Sequence, residues 1–173
     1  MNGTGALSGE DILRYLKANP PLIENIPDLA NQVQPNGFDL TIKEIAALNS
    51  PGVISVSNDR RVLSQTSPLT FDGEGSLQLA AGNYLVTCNE IVNLPNDIMA
   101  LARPRSSLLR CGVAVHTAVW DAGYSGRSQA LLVVYNTQGF RIDKGARFMQ
   151  LVFFYLTEQV KQGYNGIFQK ENI

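Results

Sequence analysis

Arginine and hydroxyl side chains are adjacent in residues 104–108 (PRSSL). A guanidinium group and two O–H donors match the oxygen atoms of a phosphate, so Arg105, Ser106 and Ser107 are candidate anion ligands. Asp121 follows in residues 119–126 (VWDAGYSG), where glycines let the backbone approach a ligand closely. A phosphate site together with one carboxylate is what hydrolysis of a nucleoside triphosphate by an activated water requires.

The composition indicates one soluble globular domain. The chain has 173 residues, of which 45% are hydrophobic and 17% charged, enough to bury a core. A formal net charge of -1 gives no reason to expect binding to nucleic acid or to an anionic membrane. No apolar run has the length of a membrane span, and residues 1–5 (MNGTG) lack the pattern of a secretion signal. We therefore expect a cytoplasmic protein.

The cysteine and histidine content argues against a zinc site. Cys88 and Cys111 lie far apart between apolar residues, which favours buried free thiols over a disulfide, although the sequence leaves a disulfide open. His116 is the single histidine, and no paired-cysteine spacing is present. Zinc-dependent nucleoside deaminases are thereby removed from consideration.

Turn residues and short apolar runs predict an all-β domain that follows a helical N-terminal segment, residues 1–35. Ser8 is a candidate N-cap, and Pro20 and Pro21 should stop the first helix. A second helical turn is expected within residues 22–33, and another over residues 106–110. The tail, residues 161–173, is polar and glycine-containing and is expected to be mobile. The predicted strands are 39–42, 53–56, 69–71, 76–79, 84–88, 98–103, 113–115, 130–135 and 148–156.

Most of the candidate residues also have a purely structural interpretation. Asp39 and Asp121 are in turn-rich settings, where an aspartate commonly accepts hydrogen bonds from the local backbone. Arg110 could equally form a surface salt bridge. His116 beside apolar residues is more often structural than catalytic. Gln150 lies in an apolar run, so it needs a polar partner if it is buried.

Four ordered segments resemble motifs of the trimeric dUTPase and dCTP deaminase superfamily, and are most similar to its archaeal-type dUTPases. They are residues 36–40 (NGFDL), 104–108, 120–126 (WDAGYSG) and 145–153 (GARFMQLVF). The resemblance implies a distorted jelly roll that assembles as a homotrimer, with each site built from more than one subunit. It covers most of the chain.

The same resemblance implies a role for each matching residue. Asp121 would activate the attacking water, and Asp39 would help to position that carboxylate and a metal-bound water. Mg²⁺ would be held mainly by the substrate phosphates, with no direct protein ligand. Residues 112–120 would form the hairpin that holds the base. The implied phosphate ligands are Arg105, Ser106, Ser107, Arg110 and Gln150; the nucleoside ligands are His116, Thr117, Ala118, Val119, Trp120 and Tyr124; the tail contributes Tyr164, Phe168 and Gln169.

Two departures from the superfamily pattern favour a dUTPase over a deaminase. The deaminases carry a catalytic glutamate on the strand after the third motif, but residues 128–136 (SQALLVVYN) hold no carboxylate, and Leu131 or Val133 takes its position. The glycine-rich C-terminal motif of ordinary dUTPases is replaced by residues 163–169 (GYNGIFQ). The resemblance thus implies hydrolysis of dUTP to dUMP and pyrophosphate. A dCTP deaminase, a bifunctional enzyme and a non-catalytic β-sandwich module are the alternatives.

Overall fold

The computed structural model describes residues 4–173. Within them the chain is mostly β-structure, with three short α-helices and one 3₁₀ turn at Asn58–Arg60. The helices are α1 (Gly9–Tyr15), α2 (Leu29–Gln32) and α3 (Ser106–Arg110). The strands are β1 (Ile23–Glu24), β2 (Val33–Gln34), β3 (Gly37–Leu48), β4 (Thr66–Pro68), β5 (Ser76–Leu79), β6 (Gly82–Cys88), β7 (Ile91–Asn93), β8 (Ile98–Pro104), β9 (Val113–His116), β10 (Ser125–Gly126), β11 (Gln129–Val134), β12 (Phe140–Asp143) and β13 (Arg147–Tyr155).

The main sheet follows the order β8-β13-β3-β6-β11-β9, and β2 and β4 pair with β3 beside this path. A three-stranded sheet, β1-β7-β10, and a two-stranded sheet, β12-β5, complete the fold. Every pairing between named strands is antiparallel. Fully buried Phe38, Phe148 and Phe153 lie in the core between these layers. The predicted all-β class with a distorted jelly roll is confirmed.

Strand β3 runs through the centre of the molecule, and its first six residues, 37–42, are all buried. Gly37 is required at its start, because a Cβ atom there would lie 2.6 Å from the carbonyl oxygen of Leu151 on β13. That close approach pairs Asp39 with Gln150 across the two strands. A polar residue is therefore held in the most buried stretch of the sheet.

Helix α1 begins as the sequence predicts. The Ser8 hydroxyl accepts a hydrogen bond from the amide N–H of Asp11, and the Asp11 carboxylate accepts one from the Ser8 amide, which completes a capping box. The helix ends at Tyr15, before Pro20. Burial raises the pKa of Tyr15 to about 12. None of the helices in residues 4–173 is long and apolar enough to cross a membrane.

Two predicted strands were wrong. Residues 53–56 form no strand: Val53 makes an isolated bridge to Val62, while Ile54 and Val56 are 82% and 104% exposed. High β-propensity without an apolar surface to pack against does not make a strand. The strand predicted at 69–71 lies three residues earlier, at Thr66–Pro68, because this is where the chain pairs with β3.

The prediction that both cysteines are buried was correct for only one of them. Both thiols are free, but Cys88 is buried on β6 whereas Cys111 is exposed directly after α3. Burial raises the pKa of the Cys88 thiol well above its ordinary value.

Candidate active site

The end of β8 presents the predicted anion ligands. Arg105 has extended backbone dihedral angles, and its amide donates to the carbonyl of Phe148 on β13, so the chain leaves the sheet at this residue. Ser106 and Ser107 follow in the first turn of α3, and both are exposed. Arg110 donates to the carbonyl of Ser106 at 2.8 Å and forms no ion pair with the described residues. The surface salt bridge considered for Arg110 is therefore not formed within residues 4–173.

A buried carboxylate binds two arginines beside this turn. Asp39 Oδ2 lies 3.1 Å from Arg105 Nε and 3.3 Å from Arg147 Nη1, and its side chain is 3% exposed. We call Asp39, Arg105 and Arg147 the arginine–aspartate cluster. Burial raises the pKa of Asp39, and the two guanidinium groups offset part of that rise. Two cations share one anion, so the cluster keeps a local positive charge that suits an anionic ligand.

Gln150 joins this cluster through the sheet. It lies on β13 between Asp39 on β3 and Arg103 on β8, and is half-buried. The structure thus brings Asp39 and Arg105 into contact, places Gln150 beside Asp39 in the sheet, and adds Arg147, which the sequence reasoning missed. Arg147 is in the same motif segment as Gln150, so pairing that segment with residues 36–40 would have revealed it.

A second buried carboxylate contacts β3 two residues beyond Asp39, at Thr41. Glu90 is completely buried and accepts hydrogen bonds from the Thr41 amide at 2.9 Å, the Thr41 hydroxyl at 2.6 Å and Gln32 Nε2 at 2.7 Å. Burial raises the pKa of Glu90, and these donors offset part of the rise. No sequence signal marked it, since Glu90 is an isolated acid between β6 and β7.

The third motif segment, residues 120–126, forms a tight turn near the other end of β8. Trp120 exchanges two backbone hydrogen bonds with Ala100, which anchors the turn to β8. Gly123 has a φ of 84°, and a Cβ atom there would lie 2.6 Å from the Cα of Gly163 in the tail. Asp121 is exposed on this turn, whereas Tyr124 is only 6% exposed.

A cavity of about 320 Å³ opens beside this turn. We call it the Tyr124 cavity. It gathers most of the predicted nucleoside ligands, the predicted catalytic aspartate and two of the three predicted tail residues. Its lining comprises Ala118, Val119, Trp120, Asp121, Tyr124, Ser128, Gln129, Tyr164, Phe168 and Glu171.

Neutral hydrogen bonds organise the wall of the Tyr124 cavity. Trp120 Nε1 donates to the Ser128 hydroxyl at 2.6 Å, and the Tyr124 hydroxyl lies 3.1 Å from the same oxygen. The Tyr124 hydroxyl also donates to Glu171 Oε1 at 2.8 Å. Burial raises the pKa of Tyr124 above its ordinary value and also raises the pKa of Glu171. The tyrosine is therefore held as a neutral donor, with its ring fixed against the cavity.

The C-terminal tail closes one side of this cavity from the same chain. Gln169 accepts from the Ser125 amide at 2.8 Å and donates to the carbonyl of Gly123 at 2.9 Å. The rings of Tyr124 and Tyr164 meet edge to face, with centroids 5.8 Å apart. The sequence did not indicate that Glu171 lies at the cavity, because a single acidic residue in a polar tail is usually exposed to solvent. Opening of the tail stays a prediction.

Some predicted ligands lie outside the cavity. His116 is exposed on β9 opposite Leu131, and neither His116 nor Thr117 lines the cavity. The hairpin predicted over residues 112–120 was wrong: β9 pairs with β11, and the connection from 117 onward leads to the Trp120 turn. Ser107 faces a separate pocket together with Arg147.

A larger cavity, of about 700 Å³, lies on the opposite side of Tyr124 between α1, β7 and the tail. Its lining includes Glu24, Asn93 and Lys170 but neither Asp121 nor any member of the arginine–aspartate cluster. We place the candidate site in the smaller Tyr124 cavity because the chemistry, and not the volume, identifies it.

Strand β8 separates the turn that carries Asp121 from the arginine–aspartate cluster. Trp120 pairs with Ala100, and Arg105 lies five residues further along the chain. At a rise of 3.3 Å per residue, that separation is about 16 Å. A single chain therefore does not place Asp121 against the serines and arginines of its own anion site.

The described residues offer no preformed metal centre. Residues 4–173 contain no group of three or more His, Cys, Asp and Glu side chains close enough to hold a metal ion. Asp39 is occupied by two arginines, and the other carboxylates at the Tyr124 cavity are the exposed Asp121 and Glu171, which accepts from Tyr124. A divalent ion would find hard oxygen ligands here chiefly on a bound triphosphate.

These features define an all-β, jelly-roll protein with the arginine–aspartate cluster beside one end of β8 and the Tyr124 cavity near the other. Residues 6–156 match the dCTP deaminase-like family, and the chain belongs to that family. The resemblance predicted from the motifs is confirmed.

Two archaeal relatives align over almost the whole chain. A protein of Methanosarcina mazei is 49% identical over 166 residues, covering 96% of this chain and 97% of the relative. One of Archaeoglobus fulgidus is 46% identical over 167 residues, covering 96% and 97%. Both carry the name "Probable deoxyuridine 5'-triphosphate nucleotidohydrolase".

A solved structure supports the fold. The 2'-deoxycytidine 5'-triphosphate deaminase from Agrobacterium tumefaciens superimposes with a TM-score of 0.68 at 23% sequence identity. The match covers 88% of this chain and 48% of the other, so this chain spans about half of that protein. At this identity the likeness establishes the common fold and not a common reaction.

Proposed function

We propose that this protein hydrolyses dUTP to dUMP and pyrophosphate. The observation that carries the proposal is the exposed Asp121 carboxylate at the edge of a cavity walled by the buried Tyr124 ring. Asp121 accepts a proton from a water and orients it for in-line attack on the α-phosphorus. The archaeal relatives named for dUTP hydrolysis support this substrate.

The Tyr124 cavity binds the nucleoside. Uracil carries two acceptor carbonyls and one N–H donor, so backbone groups of residues 117–120 can recognise it without a charged side chain. The Tyr124 ring packs on deoxyribose and excludes a 2'-hydroxyl group. Tyr164 and Phe168 cover the nucleoside from the tail, and this contact excludes bulk water.

The anion site binds the triphosphate. Arg105, Ser106 and Ser107 donate to phosphate oxygens, and Gln150 and Arg110 complete the donor set. Asp39 acts here by holding Arg105 and Arg147, since both of its ion pairs are with these residues. The water-positioning role that the motif implied for Asp39 stays a prediction.

The active unit is a homotrimer in which each site joins two chains. The separation of about 16 Å along β8 exceeds what one hydrogen-bonded catalytic group can span, so Asp121 of one chain acts on phosphates held by another. Mixing tests this arrangement. Inactive Asp121→Asn chains co-refolded with inactive Ser106→Ala chains regain activity if the site is shared. A fully active monomer by light scattering would refute it.

Mg²⁺ is the proposed cofactor, and triphosphate oxygens and waters supply its ligands. This assignment rests on the preference of Mg²⁺ for phosphate oxygens. When bound, the ion neutralises charge on the triphosphate. The arginines and serines then position the phosphate chain.

A product assay tests the reaction. The protein is incubated with dUTP, dCTP or dTTP and Mg²⁺, and pyrophosphate release is resolved from ammonia release. We expect pyrophosphate from dUTP and no ammonia from dCTP, because β11 carries no carboxylate between Gln129 and Val134. Besides Asp121, Glu171 is the one acid lining the cavity, and Tyr124 binds it. Deamination of dCTP at a rate comparable to dUTP cleavage would overturn the proposal.

A further inference from the structure

We infer that Glu90 is a positioning residue for the arginine–aspartate cluster, acting through Gln32 and Thr41 on the part of β3 that carries Asp39. This inference rests on the proposed phosphate-binding function of that cluster. Glu90 itself is completely buried between β6 and β7 and touches no candidate substrate.

Glu90 fixes β3 through Thr41, close to the Asp39 carboxylate. Its two carboxylate oxygens accept from the amide and the hydroxyl of Thr41, at 2.9 and 2.6 Å. Thr41 is two residues after Asp39, so both side chains lie on the same face of the strand. A charge buried this deeply is tolerated only because its oxygens are hydrogen-bonded. The strand is thereby held directly next to the Asp39 carboxylate.

Gln32 connects Glu90 to Asp39 itself. Its Nε2 group donates both to Glu90 Oε1 at 2.7 Å and to the carbonyl of Asp39 at 2.8 Å. Its Oε1 atom accepts from the Asp28 amide at 2.9 Å. All three of these hydrogen bonds need the Gln32 amide in this orientation. A flipped amide would therefore lose all three contacts.

The same link reaches the second arginine. Arg147 Nη1 donates to the carbonyl of Asn31, the residue before Gln32, as well as to Asp39 Oδ2. Both anchor points of this guanidinium group therefore lie on segments that Glu90 holds in place. Releasing Glu90 would remove one of the contacts that tie α2 to β3 and leave the Gln32–Asp39 hydrogen bond and the β2–β3 pairing, so both arginines would be held less firmly.

The position requires an acceptor-only group. Three donors converge on Glu90: the Thr41 amide, the Thr41 hydroxyl and Gln32 Nε2. A glutamine of the same shape places its NH₂ group either against the Thr41 amide or against Gln32 Nε2. One donor then faces another in either orientation. Glu90→Gln is therefore a nearly isosteric way to break the link.

The test compares binding of two probes to the full-length protein. We measure dissociation constants for the α,β-imido analogue of dUTP and for dUMP, with and without the Glu90→Gln change. We expect about a tenfold loss of affinity for the triphosphate analogue and a change of about twofold or less for dUMP. The ratio reports contacts to the β- and γ-phosphates, because the nucleoside and the α-phosphate are common to both probes. An equal loss for both probes, or no loss, overturns the inference.

Ser8→Ala is the matched control, because it removes the α1 capping box without touching the cluster. It should lower the melting temperature while leaving the ratio of the two constants unchanged. Should Glu90→Gln not fold, Thr41→Val keeps the carboxyl group of Glu90 and removes the hydroxyl that donates to it and accepts from Asn89 Nδ2. It should raise the same ratio by about threefold; an unchanged ratio contradicts the inference.

The test of the Glu90 role can be distinguished from the test of the proposed dUTP hydrolysis. Both probes are measured by binding, so a wild-type protein that binds the triphosphate analogue but releases no pyrophosphate from dUTP disproves the reaction and leaves the positioning role standing. Conversely, wild-type hydrolysis with an unchanged ratio in Glu90→Gln disproves only the positioning role.

Discussion

The two ends of β8 are built by different means. At one end, the arginine–aspartate cluster lies on three paired strands, and its anion is 3% exposed between two cations. At the other end, the Tyr124 cavity is formed by a turn and the C-terminal tail, and neutral donors and acceptors hold it together. The first end is built around charged groups, and the second around aromatic rings and a docked segment of the tail.

This difference matches the two halves of the proposed substrate. A triphosphate is highly charged and identical in every nucleotide, so a fixed set of cations can bind it. The nucleoside must be distinguished from its relatives and enclosed, which favours a neutral cavity with a covering segment that can move. Predictions that affect one end and spare the other therefore test the comparison.

The largest effect is expected at Asp121. Asp121→Asn should lower turnover of dUTP by roughly 10²–10⁴-fold while keeping most of the nucleotide affinity, because an amide cannot accept the proton of the water. Steady-state kinetics together with binding of the imido analogue measure both quantities. Asp59→Asn, an exposed acid in the 3₁₀ turn, is the control. Normal turnover by the Asp121→Asn protein would assign the base to another residue.

Loss of the tail should have the next largest effect. A chain truncated after Gln159 lacks Tyr164, Phe168 and Gln169, and its Tyr124 cavity is open to water on one side. We expect an intact assembly with dUTP hydrolysis lowered by about 10²-fold, since the nucleoside is no longer held in place. Light scattering tests whether the assembly is intact, and turnover of dUTP by the same sample tests whether hydrolysis is lowered.

The point variant Gln169→Ala should reproduce much of the truncation, and the exposed Lys161→Ala should not. An assembly that dissociates on truncation would show that the tail serves subunit contact. Unchanged turnover in an intact assembly would show that it has no catalytic role.

A smaller effect is expected at the charged end. Asp39→Asn removes the anion shared by Arg105 and Arg147, each about a third exposed. Hydrogen bonds to charged groups contribute about 1.5–3 kcal/mol, so we expect roughly 10–100-fold weaker binding of the triphosphate analogue. Binding of dUMP should change much less. Parallel losses for the two ligands would mean that Asp39 supports the whole fold and not the anion site.

The sequence predicted local features well and long-range pairing poorly. The Ser8 cap and the helical turn at 106–110 could be read from short segments, since caps and turns depend on neighbouring residues. Glu90 and Gln32 could not, because their hydrogen bond joins residues 58 positions apart. Residues 53–56 were misassigned because propensity does not show whether a partner strand exists.

The tail residue Glu171 offers the finest test, through pH. Burial raises the pKa of its carboxyl above the ordinary 4.5, so the folded chain binds this proton more tightly than the unfolded chain. The stabilising contribution is complete below pH 4.5 and is lost as the pH rises through the raised value. Ionisation then leaves a partly buried charge whose side chain has the Tyr124 hydroxyl as its hydrogen-bond donor in the described residues.

Docking of the tail should therefore weaken as the pH rises from the ordinary carboxyl range toward neutrality. The measurement is amide hydrogen exchange at Lys170, whose N–H donates to the carbonyl of Ser125, corrected for the intrinsic dependence of exchange on pH. Glu171→Gln keeps an acceptor for the Tyr124 hydroxyl but cannot ionise, so its protection should be independent of pH. If protection at Lys170 depended on pH in the same way in both proteins, a group other than Glu171 would be responsible. Glu171 would then not be a titrating contact between the tail and the Tyr124 cavity.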